Sequence, residues 1–288
     1  MKSPAHRDVH IEALRDAGNV HRADTIAVEE PLEIRLLKNG PLVDSTGDNG
    51  GTGRPVSITM RTPGNDSELA LGFLHGEGII SAPGDVIDVR PCGPSGNVVR
   101  VTLRADLPLE LDRLNRNFYT TSSCGVCGKA SIEAVTASAG IRRVAGDMVV
   151  SETVLRALPD VLKASQAGFA QTGGMHAVGL FTSEGELVAC REDVGRHNAM
   201  DKLVGAELMH AALPWHDRMV LLSGRASFEL IQKAMMAGAP LVAAIGAPST
   251  LAVELAESAG MTLVAFLRSG GCNVYCHPGR VRPVRSPS

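Results

Sequence analysis

The chain has 288 residues, 44% of them hydrophobic and 20% charged, the balance of a folded globular protein with room for one large domain or two. A net charge of −3 and an aromatic content of 3% argue against broad capture of nucleic acid and against a base-stacking platform, while leaving room for a single nucleotide held by a few local glycines and arginines. The opening stretch MKSPAHRDVHIEALRDAGNV has no apolar run of signal-peptide length, and no later stretch reaches the length of a bilayer span, so no membrane association is expected. The expected location is the cytoplasm, where cysteines are held reduced.

Residues 1–24 mix charges with small residues and read as an unordered extension. Over 25–120 the pattern predicts a small β-rich domain: LEIRLLKNG, RPVSITMRT, DVIDVRPCG and GNVVRVTLRA are short runs between turn signals. One helix interrupts them in NDSELALGFLHGEGII, with Asp66 or Ser67 as its cap. Residues 121–140 read as a mobile cysteine loop and a linker helix that starts after Lys129.

Residues 141–288 follow a different grammar. SETVLRAL begins with a serine cap, and Pro159 fits the first turn of a second helix, PDVLKASQAGFA. GMHAVGLF and LVACRED predict a hairpin, and VGRHNAMDKLVGAEL a helix. Then MVLLS, FELIQKAMMAG, LVAAIG, STLAVELAESAG and MTLVAFL alternate strand and helix, which predicts parallel strands joined by right-handed crossovers.

Ligands of such sheets collect at the carboxyl ends of the strands. There Ser223–Ser227, Ala247–Ser249 and Arg268–Gly271 meet, the first two at helix N-termini that favour an anion. Ser223, Gly224, Arg225, Ser227 and Arg268 are thus candidate phosphate contacts. The same segments serve equally well as ordinary tight turns whose glycines and serines answer only to the backbone. His176 and His197 read first as satisfied structural histidines, Glu192 and Asp193 as partners of a helix dipole, and Asp201 with Lys202 as an exposed helix face.

Three chemistries compete for Cys124 and Cys127 in YTTSSCGVCGKAS. A zinc site would need a second pair, and Cys272, Cys276 and His277 offer one at an unusual spacing. A thioredoxin-type switch wants a strand immediately before the motif, where this chain has the polar TTSSC. Sulfur carriage wants a nucleophilic thiolate among small, unobstructing neighbours, which Ser122, Ser123, Gly125 and Gly128 provide. Lys129 and the following helix start would lower the thiol pKa, and a persulfide could pass its outer sulfur on by the logic of thiol–disulfide exchange. Cys92 lies in the turn RPCGP, and Cys190, in a predicted strand, reads as a small buried hydrophobe.

The ordered set SSCGVCGKAS, TGGMHAVGLF, REDVGRHNAMDKL, SGRASFELIQKA and FLRSGGCNVY resembles the formate dehydrogenase accessory sulfurtransferases, the FdhD family. The resemblance implies an α/β chain (α+β overall), with a C-terminal three-layer domain similar to the cytidine deaminase fold beside the smaller β-rich domain. Residues 141–288 lack the H-x-E and P-C-x-x-C zinc signature of that fold's deaminases, so deamination is not implied. The resemblance further implies a cytoplasmic, homodimeric sulfur carrier. This carrier takes sulfur from a cysteine desulfurase as a persulfide on Cys124, with Cys127 the second thiol. It passes the sulfur to molybdenum bis(molybdopterin guanine dinucleotide) destined for formate dehydrogenase and needs no tightly bound metal of its own. Phe266, Leu267, Arg268, Ser269, Gly270 and Gly271 match the segment tied to the guanine-dinucleotide form of that cofactor. The alternative is a chaperone for the molybdenum cofactor or a guanine nucleotide that moves no sulfur.

Overall fold

The computed structural model describes residues 4–16, 18–38, 53–93, 96–107 and 143–284. Where an unordered extension is expected, β1 (His6–Ala13) and β2 (Val20–Ala27) form an antiparallel ribbon. Most of its side chains are exposed, so neither strand shows the apolar alternation that would reveal it in the sequence. Its ladder bonds are backbone to backbone and indifferent to side-chain polarity, and the Thr25 hydroxyl adds one cross-strand bond to Asp8 at 2.7 Å.

Four strands then build the first sheet: β3 (Glu30–Lys38), β4 (Arg54–Arg61), β5 (Val86–Cys92) and β6 (Val98–Leu103), in the order β4-β3-β6-β5. β3 and β6 are parallel, and the two outer pairings are antiparallel. Leu32, Ile34 and Leu36 of β3 and Val99, Val101 and Leu103 of β6 alternate inward beneath α1 (Asp66–Gly76). Neither expected residue caps that helix. Asn65 occupies the cap in the left-handed region at φ 56°, and the Asp66 carboxylate instead accepts from Arg61 Nε and Nη2 at 2.8 and 3.1 Å.

In the second half β7 (Val150–Ser151) leads into α2 (Glu152–Ser165), whose cap is Ser151 as the sequence suggests: its Oγ accepts from Val154 N–H at 3.1 Å. The two helices expected around Pro159 are one. Pro159 lies in the interior of α2, because Leu155, Leu158 and Leu162 form a single buried stripe across it. Burying three leucines contributes about 1.5–3 kcal/mol each, which outweighs the roughly 3 kcal/mol of an interior proline. The short α3 (Ala167–Thr172) follows and packs on β2.

β8 (His176–Phe181) and β9 (Leu187–Asp193) pair antiparallel, and α4 (Arg196–Met209) follows them. The alternating run then gives β10 (Met219–Leu222), α5 (Phe228–Met236), β11 (Leu241–Ala244), α6 (Thr250–Ala259) and β12 (Thr262–Arg268), with β10, β11 and β12 parallel. β13 (Gly271–Cys276) returns antiparallel to β12, and β14 (Val281–Arg282) pairs with β7. The six-stranded sheet is ordered β13-β12-β11-β10-β8-β9. One face carries Val220, Val242 and Leu263 against α4, α5 and α6. The other carries Leu221, Ala243 and Val264 against α2. The second half is thus three layers.

The two units meet where α1 crosses α4. A Cβ on Gly72 would strike the Asp201 carbonyl, and a Cβ on Gly205 the Glu68 carbonyl, so glycine on both helices permits backbone-to-backbone approach. The charges on α4 are therefore not an exposed face: Asp201 is 3% and Lys202 2% accessible. Lys202 Nζ lies 2.7 Å from Asp193 and donates to the Thr62 carbonyl at 2.9 Å, while Lys233 Nζ lies 2.6 Å from Asp201. Among the described residues no helix is long and apolar enough to cross a membrane.

Candidate functional site

Because β10, β11 and β12 are parallel and β8 runs against β10, five segments emerge on one edge: Ser223–Ser227, Ile245–Ser249, Phe266–Gly271, the start of β8 at His176 and the end of β9 at Asp193. Backbone bonds lock the first three together. Gly246 N–H donates to the Gly224 carbonyl at 2.8 Å, Ala226 N–H to Ala247, Ser249 N–H to Ala226 and Phe266 N–H to Gly246. A Cβ on Gly246 would lie 2.8 Å from Arg225 N and the Gly224 backbone, so only glycine lets these turns nest.

The two helix starts on this edge differ. Ser249 Oγ accepts from Ala252 N–H and closes α6 on itself. Ser227 stands at the cap of α5 but makes no cap bond, since its hydroxyl lies 3.2 Å from His197 Nε2. The first N–H groups of α5 therefore face the edge without a side-chain acceptor. Glu229 Oε2 lies 3.7 Å from the same His197 nitrogen.

Not every residue of the FLRSGG segment faces outward. Leu267 is buried in the core against α2 and offers nothing to a ligand. Phe266 adopts φ 53°, a left-handed value costly for a residue with a side chain, at a register break in β12, and is 44% exposed. Arg268 spends one guanidinium nitrogen on the Ile245 and Leu267 carbonyls at 2.6 and 2.7 Å and is otherwise exposed. Ser269 offers its carbonyl to Arg156, and Gly270 and Gly271 carry the chain into β13. Ser223 Oγ accepts from Ala177 N–H at 2.9 Å, and Arg225 is exposed with no hydrogen bond or ion pair among the described residues. The proposed contacts thus share one edge, with Leu267 the exception.

Beside them a cavity of about 520 Å³ opens on the α2 side, lined by Asp160, Lys163, Phe169, His176, Ser223 and Ile245. That volume lies within the range of small-molecule sites. Burial lowers the His176 pKa, and the nearby Arg196 lowers it further against the pull of Asp193, so its imidazole is neutral at pH 7. Sequence reading misses His176 and Arg196 here, because only antiparallel pairing of β8 brings them to the ends of the parallel strands. Glu192 does serve a helix start, but that of α3, where it accepts from Gly168 and Phe169 N–H at 2.8 Å each.

Cys124 and Cys127 lie outside the described residues. Cys272 and Cys276 pack on opposite faces of the sheet, which prevents them from chelating one ion. No cluster of three metal-binding side chains occurs among the described residues.

The profile of the FdhD/NarQ family matches residues 49–282. The sulfur carrier protein FdhD of Mycolicibacterium paratuberculosis is 49% identical over 270 residues, covering 91% of this chain and 93% of that protein. The protein of the same name from Streptomyces coelicolor is 48% identical, covering 93% of each chain, and that of Sulfolobus acidocaldarius 39%, covering 96% and 98%. A crystal structure from Desulfotalea psychrophila, named for a formate dehydrogenase accessory protein, superposes with a TM-score of 0.73 at 24% identity, covering 97% of this chain and all of that one.

Proposed function

The chain belongs to the FdhD/NarQ family, and from that premise we propose that it is a cytoplasmic sulfur carrier serving formate dehydrogenase. The cysteine desulfurase holds a persulfide, and the Cys124 thiolate attacks its outer sulfur. The donor's S–S bond breaks, its electron pair stays on the desulfurase thiolate, and a new S–S bond forms on Cys124. For delivery, the Cys127 thiolate attacks the Cys124 sulfur and the persulfide S–S bond breaks. A Cys124–Cys127 disulfide forms, and the outer sulfur leaves with the electron pair as sulfide for the molybdenum bis(molybdopterin guanine dinucleotide) bound at the sheet edge.

The observation that carries the ligand half of this reading is the uncapped start of α5. With Ser227 turned to His197, its backbone N–H groups suit a phosphate, and Arg225 and the free nitrogens of Arg268 flank them. The adjoining cavity is large enough for a fused heteroaromatic ring, with Phe169 for stacking and Asp160 to accept from ring N–H groups. A homodimer would suit a cofactor with two nucleotide arms.

The test is to incubate the protein with a desulfurase and cysteine and to weigh the Cys124 peptide by mass spectrometry. One added sulfur is expected in the wild type and none in Cys124→Ala, which should also fail to activate formate dehydrogenase. A wild type that gains no sulfur, or a Cys124→Ala variant that still activates the enzyme, overturns the carrier reading and leaves a binding chaperone.

A further inference from the structure

We infer that Arg196 is the guanidinium that grips the phosphate of the bound ligand, an inference that rests on the ligand half of the proposed function. Arg196 opens α4 on the same edge as His176 and Ser227. Its Nε is shut off from solvent and has no hydrogen-bond partner among the described residues. Every other partly buried arginine described in the second half is engaged. Arg191 pairs with Glu68, Arg156 bonds the Ser269 carbonyl, Arg218 meets Asp217 and Arg280 takes the Gly146 and Gly260 carbonyls.

Asp193, the carboxylate nearest in sequence, is not available to Arg196. It already accepts from Thr62 N–H, Gly195 N–H and Asn198 Nδ2 and lies 2.7 Å from Lys202. A dry guanidinium N–H without an acceptor destabilises the empty protein, and an anionic oxygen is what relieves it. Neutral His176 adds no competing charge beside it and supplies one more hydrogen-bonding nitrogen.

Trp215 Nε1 is also buried without a partner among the described residues, but it belongs to the apolar core under the sheet. Arg196 therefore differs from a residue merely left over by packing: its orphaned donor lies where the strands end and ligands collect. Two of the arginines assigned from the sequence, Arg225 and Arg268, are exposed, and Arg196 is the one whose charge is partly withdrawn from water.

The experiment titrates the full chain calorimetrically with GDP, with pyrophosphate and with guanosine, in the wild type, Arg196→Gln and Arg196→Lys. GDP and pyrophosphate should bind Arg196→Gln about 10- to 100-fold more weakly, the loss of one charge-assisted hydrogen bond, while guanosine binds unchanged. Arg196→Lys should recover part of the loss, and the melting temperature of ligand-free Arg196→Gln should equal or exceed that of the wild type. The inference is overturned if the glutamine variant binds GDP and pyrophosphate as the wild type does. It is equally overturned if that variant melts lower and loses guanosine in parallel, which is the signature of a structural role. Arg196-dependent pyrophosphate binding with no gain for GDP would uphold Arg196 and sink the guanine reading. A wild type that binds neither probe sinks the inference, while sulfur loading on Cys124 in the same preparation would leave the carrier role standing.

Discussion

Cys190 shows how little a thiol's presence says about its chemistry. Burial pushes its pKa up to about 11 and Glu192 adds to the rise, so at neutral pH it is a protonated, poorly nucleophilic thiol. Burial raises Cys272 and Cys276 as well. In the folded protein at pH 7.5, iodoacetamide should therefore leave Cys190 and Cys276 unmodified over a time that modifies them fully in denaturant. Peptide mapping that finds either labelled in the native chain would remove the basis for confining reactivity to the CGVCG motif. At this scale the sequence was partly legible. The glycine and serine neighbours of Cys124 and the serine at the head of α5 carry local signals. The burial of Asp201 and Lys202 does not, because charges on a helix look alike whether they meet water or a second helix.

Among elements, the alternating run from β10 to β12 was legible because each strand is apolar on both faces and each helix has a closing signal. Gly260 is in the left-handed region at the end of α6, as its position predicts. The β1–β2 ribbon was hidden because it buries little, and the continuity of α2 was hidden because a proline's local veto can be overruled only by packing. The two serine helix starts give a prediction that separates structure from function. Ser249→Ala removes a working cap and should cost about 1 kcal/mol in chemical denaturation. Ser227→Ala removes no cap but does remove the hydroxyl 3.2 Å from His197. In a His197→Ala background, where that contact is already gone, it should cost less than about 0.5 kcal/mol. A loss at Ser227 in that background as large as at Ser249 would mean that α5 is capped after all and its N–H groups are not available to a phosphate.

At the scale of the whole molecule, the two sheets are joined by a seam in which buried charge accompanies apolar contact: Leu208 of α4 packs into the core of the four-stranded sheet, and Leu213 packs against both cores. Lys233 of α5 lies against Asp201 of α4 and 5.8 Å from the ring of Phe73 on α1, so three helices from both units meet at one ion pair. Burial lifts the Asp201 pKa from 3.8 to about 6 against the pull of Lys233. Between those values the folded chain keeps a proton that the unfolded chain releases. This site's contribution to stability is therefore complete below pH 3.8 and fades as the pH rises to about 6. Asp201→Asn should flatten that part of the stability profile. It should also strand the Lys233 ammonium, costing about 3–5 kcal/mol at pH 7, whereas Asp201→Leu with Lys233→Met should recover most of the loss. Gly72→Ala tests the same seam without touching charge: forcing α1 off α4 should cost about 1–3 kcal/mol despite alanine's higher helix propensity. If the seam is what makes the two units unfold together, the single calorimetric transition expected of the wild type should split in Gly72→Ala, with the four-stranded sheet melting first. A wild type that already melts in two steps, or a variant that still melts in one at an unchanged temperature, would show that the sheets do not depend on each other through this crossing.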